Sequence, residues 1–122
     1  MRKVIDGEVR IDNLYLTELF DLSDVEVTGT FSCRNNKLTC LIGSPHTVGE
    51  AFWCESNELT NLIGAPHTVI GFFDCRNNPL TSLKGIPKII EGSFYISEYL
   101  KEKFPEEYIR SLSDIEMRVL YW

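Results

Sequence analysis

The stretch FSCRNNKLTCLIGSPHTV (31–48) is answered by FWCESNELTNLIGAPHTV (52–69) and again by FDCRNNPLTSLKGIPKII (73–90). Aligned on their cysteines, the copies follow at one constant step, from Cys33 to Cys54 to Cys75, with Ile96 in the next register. Other columns keep the same step: Phe31, Phe52, Phe73 and Phe94; Asn36, Asn57 and Asn78; Leu38, Leu59 and Leu80; Leu41, Leu62 and Leu83. Gly43, Gly64 and Gly85 follow, then Pro45, Pro66 and Pro87, and an aliphatic column of Val27, Val48, Val69 and Ile90. A repeat of this length marks a solenoid, because one copy cannot bury its apolar residues alone and stacked copies can.

Each column has a physical task. In the alternation Phe-x-Cys, a short strand points Phe31 and Cys33 inward and Thr30, Ser32 and Arg34 outward. Asparagine after the strand can satisfy backbone groups exposed at the turn, both in its own coil and in a neighbouring one. Glycine before the strand, at Gly29, Gly71 and Gly92, is expected to supply a bend, with Glu50 in that slot once. The leucines close the core. Proline keeps the return limb extended, and 41–48 is too short for a helix, so each coil is expected to be strand and turn alone.

The ends depart from the pattern. Residues 1–28 hold an incomplete copy, with Val9, Ile11, Leu16 and Leu19 one period back after a slip of one position and Leu14 at the ladder position. Such a terminal repeat is expected to present a polar outer end. Three full repeats occupy 29–90 and a partial coil 91–97. Residues 98–122 are rich in helix formers, and Tyr108, Ile109, Leu112, Ile115 and Val119 fall at roughly helical spacing after Pro105. A helical C-terminal cap over the open edge of the last coil is the expectation.

The spacing F-x-C-x-x-N-x-L resembles the later part of the leucine-rich repeat, with cysteine where leucine is usual. The G-x-P element resembles the short repeats of bacterial leucine-rich proteins and of repeat proteins encoded by tailed phages. The likeness spans residues 7–97. The fold class expected is mainly β: a leucine-rich-repeat-like solenoid of four to five coils with a helical cap, in a single domain. The phage resemblance implies a small acidic protein made during infection that binds and inhibits a host enzyme or defence factor.

Composition narrows the function. The formal charge of −6 opposes direct nucleic-acid binding, which depends on basic patches displacing counterions. Residues 1–28 carry seven acids and three bases and residues 91–122 seven and four, whereas 29–90 carry four and five. The middle is therefore the easier surface to desolvate against a partner. The first residues lack the apolar run of a signal peptide and no stretch suits a membrane span, so a reducing cytoplasm is expected; the phage resemblance implies that of a bacterium or an infected cell. Cysteines repeating on strands about 4.8 Å apart make a line rather than a tetrahedron, which argues for core packing over a metal site. Cys40, between the leucine columns, is the thiol expected to be most reactive. His46 and His67 recur at one column of the return limb, and no nucleophile has an evident base beside it. No cofactor and no catalytic residue are assigned.

The outward strand positions are more informative. Trp53, Phe72 and Tyr95 fall on neighbouring strands of one face, flanked by Arg34, Arg76, Asp74 and Glu55. Aromatics and arginine dominate interface hot spots. These seven form the candidate site for a protein or peptide partner. The competing reading is that the C-terminal segment folds over the face and buries its rings. Five such strands offer roughly 300 Å², against about 800 Å² per partner in a standard interface. The face alone suits a peptide or a small protrusion. Self-association and mimicry of nucleic acid by the acidic ends remain open beside this reading.

Overall fold

In the computed structural model, which describes residues 3–122, the chain winds into a parallel β-solenoid of six coils with one short helix. Each coil carries two short strands. They are Lys3–Ile5 (β1) and Val9–Arg10 (β2), Val25–Val27 (β3) and Phe31–Ser32 (β4), Thr47–Val48 (β5) and Phe52–Trp53 (β6). Thr68–Val69 (β7) and Phe73–Asp74 (β8) follow, then Ile89–Ile90 (β9) and Phe94–Ile96 (β10), and last Asp114–Ile115 (β11) and Val119–Tyr121 (β12). The odd strands form one six-stranded parallel sheet and the even strands another.

Strand register reproduces the sequence period. Phe31, Phe52, Phe73 and Phe94 are direct partners, and Val9 pairs with Phe31 across the one-position slip. The phenylalanine rings stack at 5.3, 5.3 and 5.8 Å between centroids, each within 12° of parallel. Such spacing adds dispersion to the burial of each ring. The cysteine, leucine and aliphatic columns complete one continuous core. Cys33, Cys54 and Cys75 are buried free thiols, and burial pushes each pKa well up, so these three are inert packing groups. Cys40 is half-buried.

Asparagine does what its position implies, on a larger scale. Asn78 Oδ1 accepts from the backbone N–H of Asn57 and of Leu59, both at 3.1 Å. Its Nδ2 donates to the carbonyls of Cys54, Cys75 and Arg76. Asn57 and Asn36 repeat the pattern one and two coils earlier, so the ladder ties coils two, three and four each to the one before it. The residue just before each ladder asparagine is left-handed: Asn35, Ser56 and Asn77 have φ of 54–59°.

The chain bends at Gly29, Gly71 and Gly92 as expected, though not through positive φ, and glycine there also permits close approach, since a Cβ on each would lie 2.3–2.7 Å from a carbonyl oxygen of the preceding coil. Two expectations are corrected. The outer end of coil one is not simply polar, because Val4, Leu14, Tyr15 and Phe20 are all more than half exposed there.

The second correction concerns residues 98–122. A 3₁₀ turn at Glu98–Leu100 and a seven-residue helix, Glu106–Leu112 (α1), account for the helical part. The chain then forms β11 and β12, with Ile115 pairing Ile90 and Val119 pairing Phe94. The cap is itself a coil, and the stack holds six rather than the expected four to five. The step from Phe94 to Val119 is longer than the repeat because α1 and its approach are inserted. Arg110 on α1 fixes that insertion, donating to the carbonyls of Ile115 at 2.7 Å and Met117 at 2.8 Å. Among the described residues no helix is long and apolar enough to cross a membrane.

Candidate binding face

The outward positions of the even sheet form three columns. The central one runs Arg10, Ser32, Trp53, Asp74, Tyr95 and Leu120 by direct strand pairing. Two residues earlier in each coil stand Glu8, Thr30, Ala51, Phe72, Ser93 and Arg118. Two residues later stand Asp12, Arg34, Glu55, Arg76, Ser97 and Trp122. Because the strands are parallel and in register, any side chain here has its counterparts about 4.8 Å above and below it. That spacing lets charges and rings interleave across coils.

All seven residues assigned to the site line one depression of about 240 Å³, and Trp122 is the eighth member of its wall. Sequence reasoning missed Trp122 because it placed the last residues in a helix. The step that carries Phe94 to Val119 also carries Ser97 to Trp122, so recognising the last coil would have found it. The C-terminal segment does not fold over the face. Phe72 remains 43% exposed and Trp122 65%, while Trp53 and Tyr95 are half-buried.

The rings and guanidinium groups alternate. Arg34 lies over the Trp53 ring at 4.7 Å and Arg10 at 5.2 Å. Arg76 lies 5.6 Å from the Tyr95 ring and 5.4 Å from that of Trp122. Tyr95 meets both Phe72 and Trp122 edge-to-face, with centroids 5.6 Å apart in each case. Cation–π contacts of this kind contribute about 0.5–1 kcal/mol each at exposed sites. Their larger consequence is that the long side chains brace one another.

Ion pairs reinforce that order. Arg76 grips Asp74 through Nε at 2.9 Å and Nη2 at 2.7 Å, the two-pronged geometry that guanidinium and carboxylate favour. Asp74 faces outward yet is only 5% exposed, so this pair is shielded from salt. At the other end, Asp12 accepts from the Ser32 hydroxyl at 2.6 Å and the Arg34 N–H at 2.8 Å. Burial alone would raise the Asp12 carboxyl, but those donors and the Arg34 charge together hold it below its ordinary value.

Glu55 sits between these pairs and is poorly matched. Its Oε2 lies 3.5 Å from Arg76, whose better contacts go to Asp74, and its buried Oε1 has no hydrogen-bond partner among the described residues. The same holds for the buried Nε of Arg34. Burial, and then the neighbouring Asp74 charge, raise the Glu55 pKa above the usual carboxylate range. The folded state therefore binds this proton more tightly than the unfolded chain does. Ionised Glu55 costs stability at neutral pH, and that cost fades as pH falls through the raised value. Glu55→Gln is expected to stabilise the fold by about 0.5 kcal/mol at neutral pH and by nothing once wild-type Glu55 is protonated. Urea unfolding of both proteins across that pH range checks this; a variant less stable at neutral pH would refute it.

The depression is smaller than the roughly 300–1,000 Å³ of ordinary small-molecule pockets. It has room for about one side chain. Among the described residues no cluster of three or more His, Cys, Asp or Glu side chains is arranged to hold a metal ion. Compared with protein-family models, curated proteins and solved structures, the chain matches none of them.

Proposed function

We propose that the chain is a non-catalytic binding module that recognises a protein or peptide through the even-strand face. One observation carries the reading: eight side chains from five different coils, half of them aromatic, converge on a single depression and are already locked by mutual contacts. Binding normally costs about 0.5–1.5 kcal/mol for each long side chain immobilised at an interface. A face whose arginines and rings are fixed in advance avoids much of that cost. The partner inserts one side chain into the depression and lays an extended segment or a small protrusion over Phe72 and Trp122.

The finer attributes rest on the repeat's resemblance to leucine-rich proteins of bacteria and tailed phages. In that setting the module is a cytoplasmic inhibitor of a host enzyme or defence factor. A second reading, self-association, is supported by the apolar side chains exposed at the open end of coil one.

The test is capture from bacterial lysate with wild type and with a Trp53→Ala, Phe72→Ala, Tyr95→Ala variant whose folding is verified by circular dichroism. A partner held by wild type should be lost at least tenfold by the folded variant. Equal capture by both would remove the function from this face. Size measurement over a concentration series separates self-association from both results.

A further inference from the structure

A second concavity shares no residue with the strand face and lies where the return limbs of coils two to four meet α1. It measures about 710 Å³, against about 240 Å³ at the strand face. Its wall includes His46, His67, Lys84, Lys88, Tyr108 and Leu112. Among the described residues none of those lining it is acidic, in a chain whose formal charge is −6.

The basic groups are organised by the repeat. His46, His67 and Lys88 occupy one column, since His67 N–H donates to the His46 carbonyl and Lys88 N–H to the His67 carbonyl. The two imidazoles stack at 5.2 Å and 5°. Each is tied through Nδ1 to the hydroxyl of the following threonine, at 2.9 Å for Thr47 and 2.8 Å for Thr68. Lys84 and Lys88 are exposed and neither takes part in an ion pair among the described residues. Tyr108 and Leu112 of α1 supply an apolar wall that is 45% and 37% exposed.

We infer that this groove binds a short acidic peptide segment. The charge argument selects carboxylates: two lysines outside any ion pair, beside a histidine pair and with no acid in the wall, attract anions and repel basic chains. The shape selects a peptide over a lone ion. Three coils stacked about 4.8 Å apart give a floor roughly 10 Å long, enough for three or four residues of extended chain. Acidic side chains would lie toward Lys84, Lys88 and the histidine pair, and an apolar one against Tyr108 and Leu112. The site is independent of the strand face, so either can fail without the other.

The experiment is an NMR titration of the ¹⁵N-labelled full chain with the tetrapeptide acetyl-Glu-Leu-Glu-Phe-amide. Its neutral analogue, acetyl-Gln-Leu-Gln-Phe-amide, and inorganic phosphate are run alongside. Shifts should centre on His46, His67, Lys88 and Tyr108 with the acidic peptide, and shrink as salt is raised. Lys84→Glu with Lys88→Glu should weaken binding at least tenfold, and Trp53→Ala should leave it unchanged. Should the charge reversal disturb the spectrum beyond the groove, Lys84→Gln with Lys88→Gln replaces it, with at least a threefold loss expected. Equal shifts from the neutral peptide, equal binding of phosphate, or shifts at the strand face would each overturn the inference.

Discussion

Asn78→Ala is expected to lower the unfolding free energy by about 4 kcal/mol, a large share of what a domain of this size commonly has. The side chain is 1% exposed and makes five hydrogen bonds, three of them to coil three and two to the strand end of its own coil. Its removal leaves the N–H groups of Asn57 and Leu59 buried with no acceptor, each costing about 1–3 kcal/mol. The carbonyls of Cys54, Cys75 and Arg76 lose a donor besides. Asn78→Asp does not rescue the site, since it restores the acceptor and places a negative charge against those three carbonyls. Asn36→Ala should cost less, because its partners Leu14 and Leu16 lie on the more exposed first coil. Urea unfolding measures the size, and hydrogen exchange the place: protection should fall first at Asn57 and Leu59. A loss under about 1 kcal/mol would mean that the stack is held by its rings and leucines, with the ladder adding little.

How far the fold was legible follows from which interactions repeat. The phenylalanine, cysteine, leucine and asparagine columns are each set by a requirement that recurs in every coil, so the period and register could be read directly. The left-handed column at Asn35, Ser56 and Asn77 was also on view as the residue before the ladder asparagine. Its meaning was not, because the two adjacent asparagines in N-N do different work. The sixth coil was missed for a specific reason. Ile115, Val119 and Tyr121 keep the spacing of Val27, Phe31 and Cys33, but a step of four is also about one helical turn, and Tyr108 to Leu112 is helical. Only the partner strand distinguishes the two periods. The close approach at Gly29, Gly71 and Gly92 was hidden for the same reason, since a requirement set by the neighbouring coil leaves no mark in one coil that separates it from the bend.

The candidate face was more legible than its energetics. Alternation assigned seven residues to one side of one sheet, and parallel register was sufficient to bring them together. It could not tell that Asp74 would be buried under Arg76 while Glu55 went short of a partner, since both are single carboxylates one column apart. Where an otherwise paired network leaves one buried carboxylate oxygen and one guanidinium nitrogen unmatched, stability is being forgone at that spot. The expected gain on Glu55→Gln therefore bears on function as well. A stabilised variant that also loses its partner would identify Glu55 as part of the recognition surface.

Gly64→Ala tests the closeness of the stack itself and is expected to cost about 4 kcal/mol or more. Gly64 has φ of +94°, and a Cβ there would lie 2.2 Å from Ile42 N and 2.3 Å from the Leu41 carbonyl carbon. These are backbone atoms of the preceding coil, so no side-chain rotation relieves the overlap. Relief requires the coils to part, and the bonds at risk include Leu41 N–H to the Ile63 carbonyl at 2.9 Å. Gly7 provides the control, with φ of +107° and no atom within 4 Å of its missing Cβ. Gly7→Ala should cost only the backbone strain, about 1–2 kcal/mol. Gly85→Ala, with contacts of 2.4 Å, should follow Gly64, and Gly43→Ala, whose nearest contact is 2.7 Å, should fall between them and the control. Urea unfolding of the four variants gives the order. If all four unfold at the same denaturant concentration, conformation alone governs the column and the coils have room that this geometry denies them. If the order holds, glycine recurs at the same point of each repeat because stacked backbones leave no space there for a side chain.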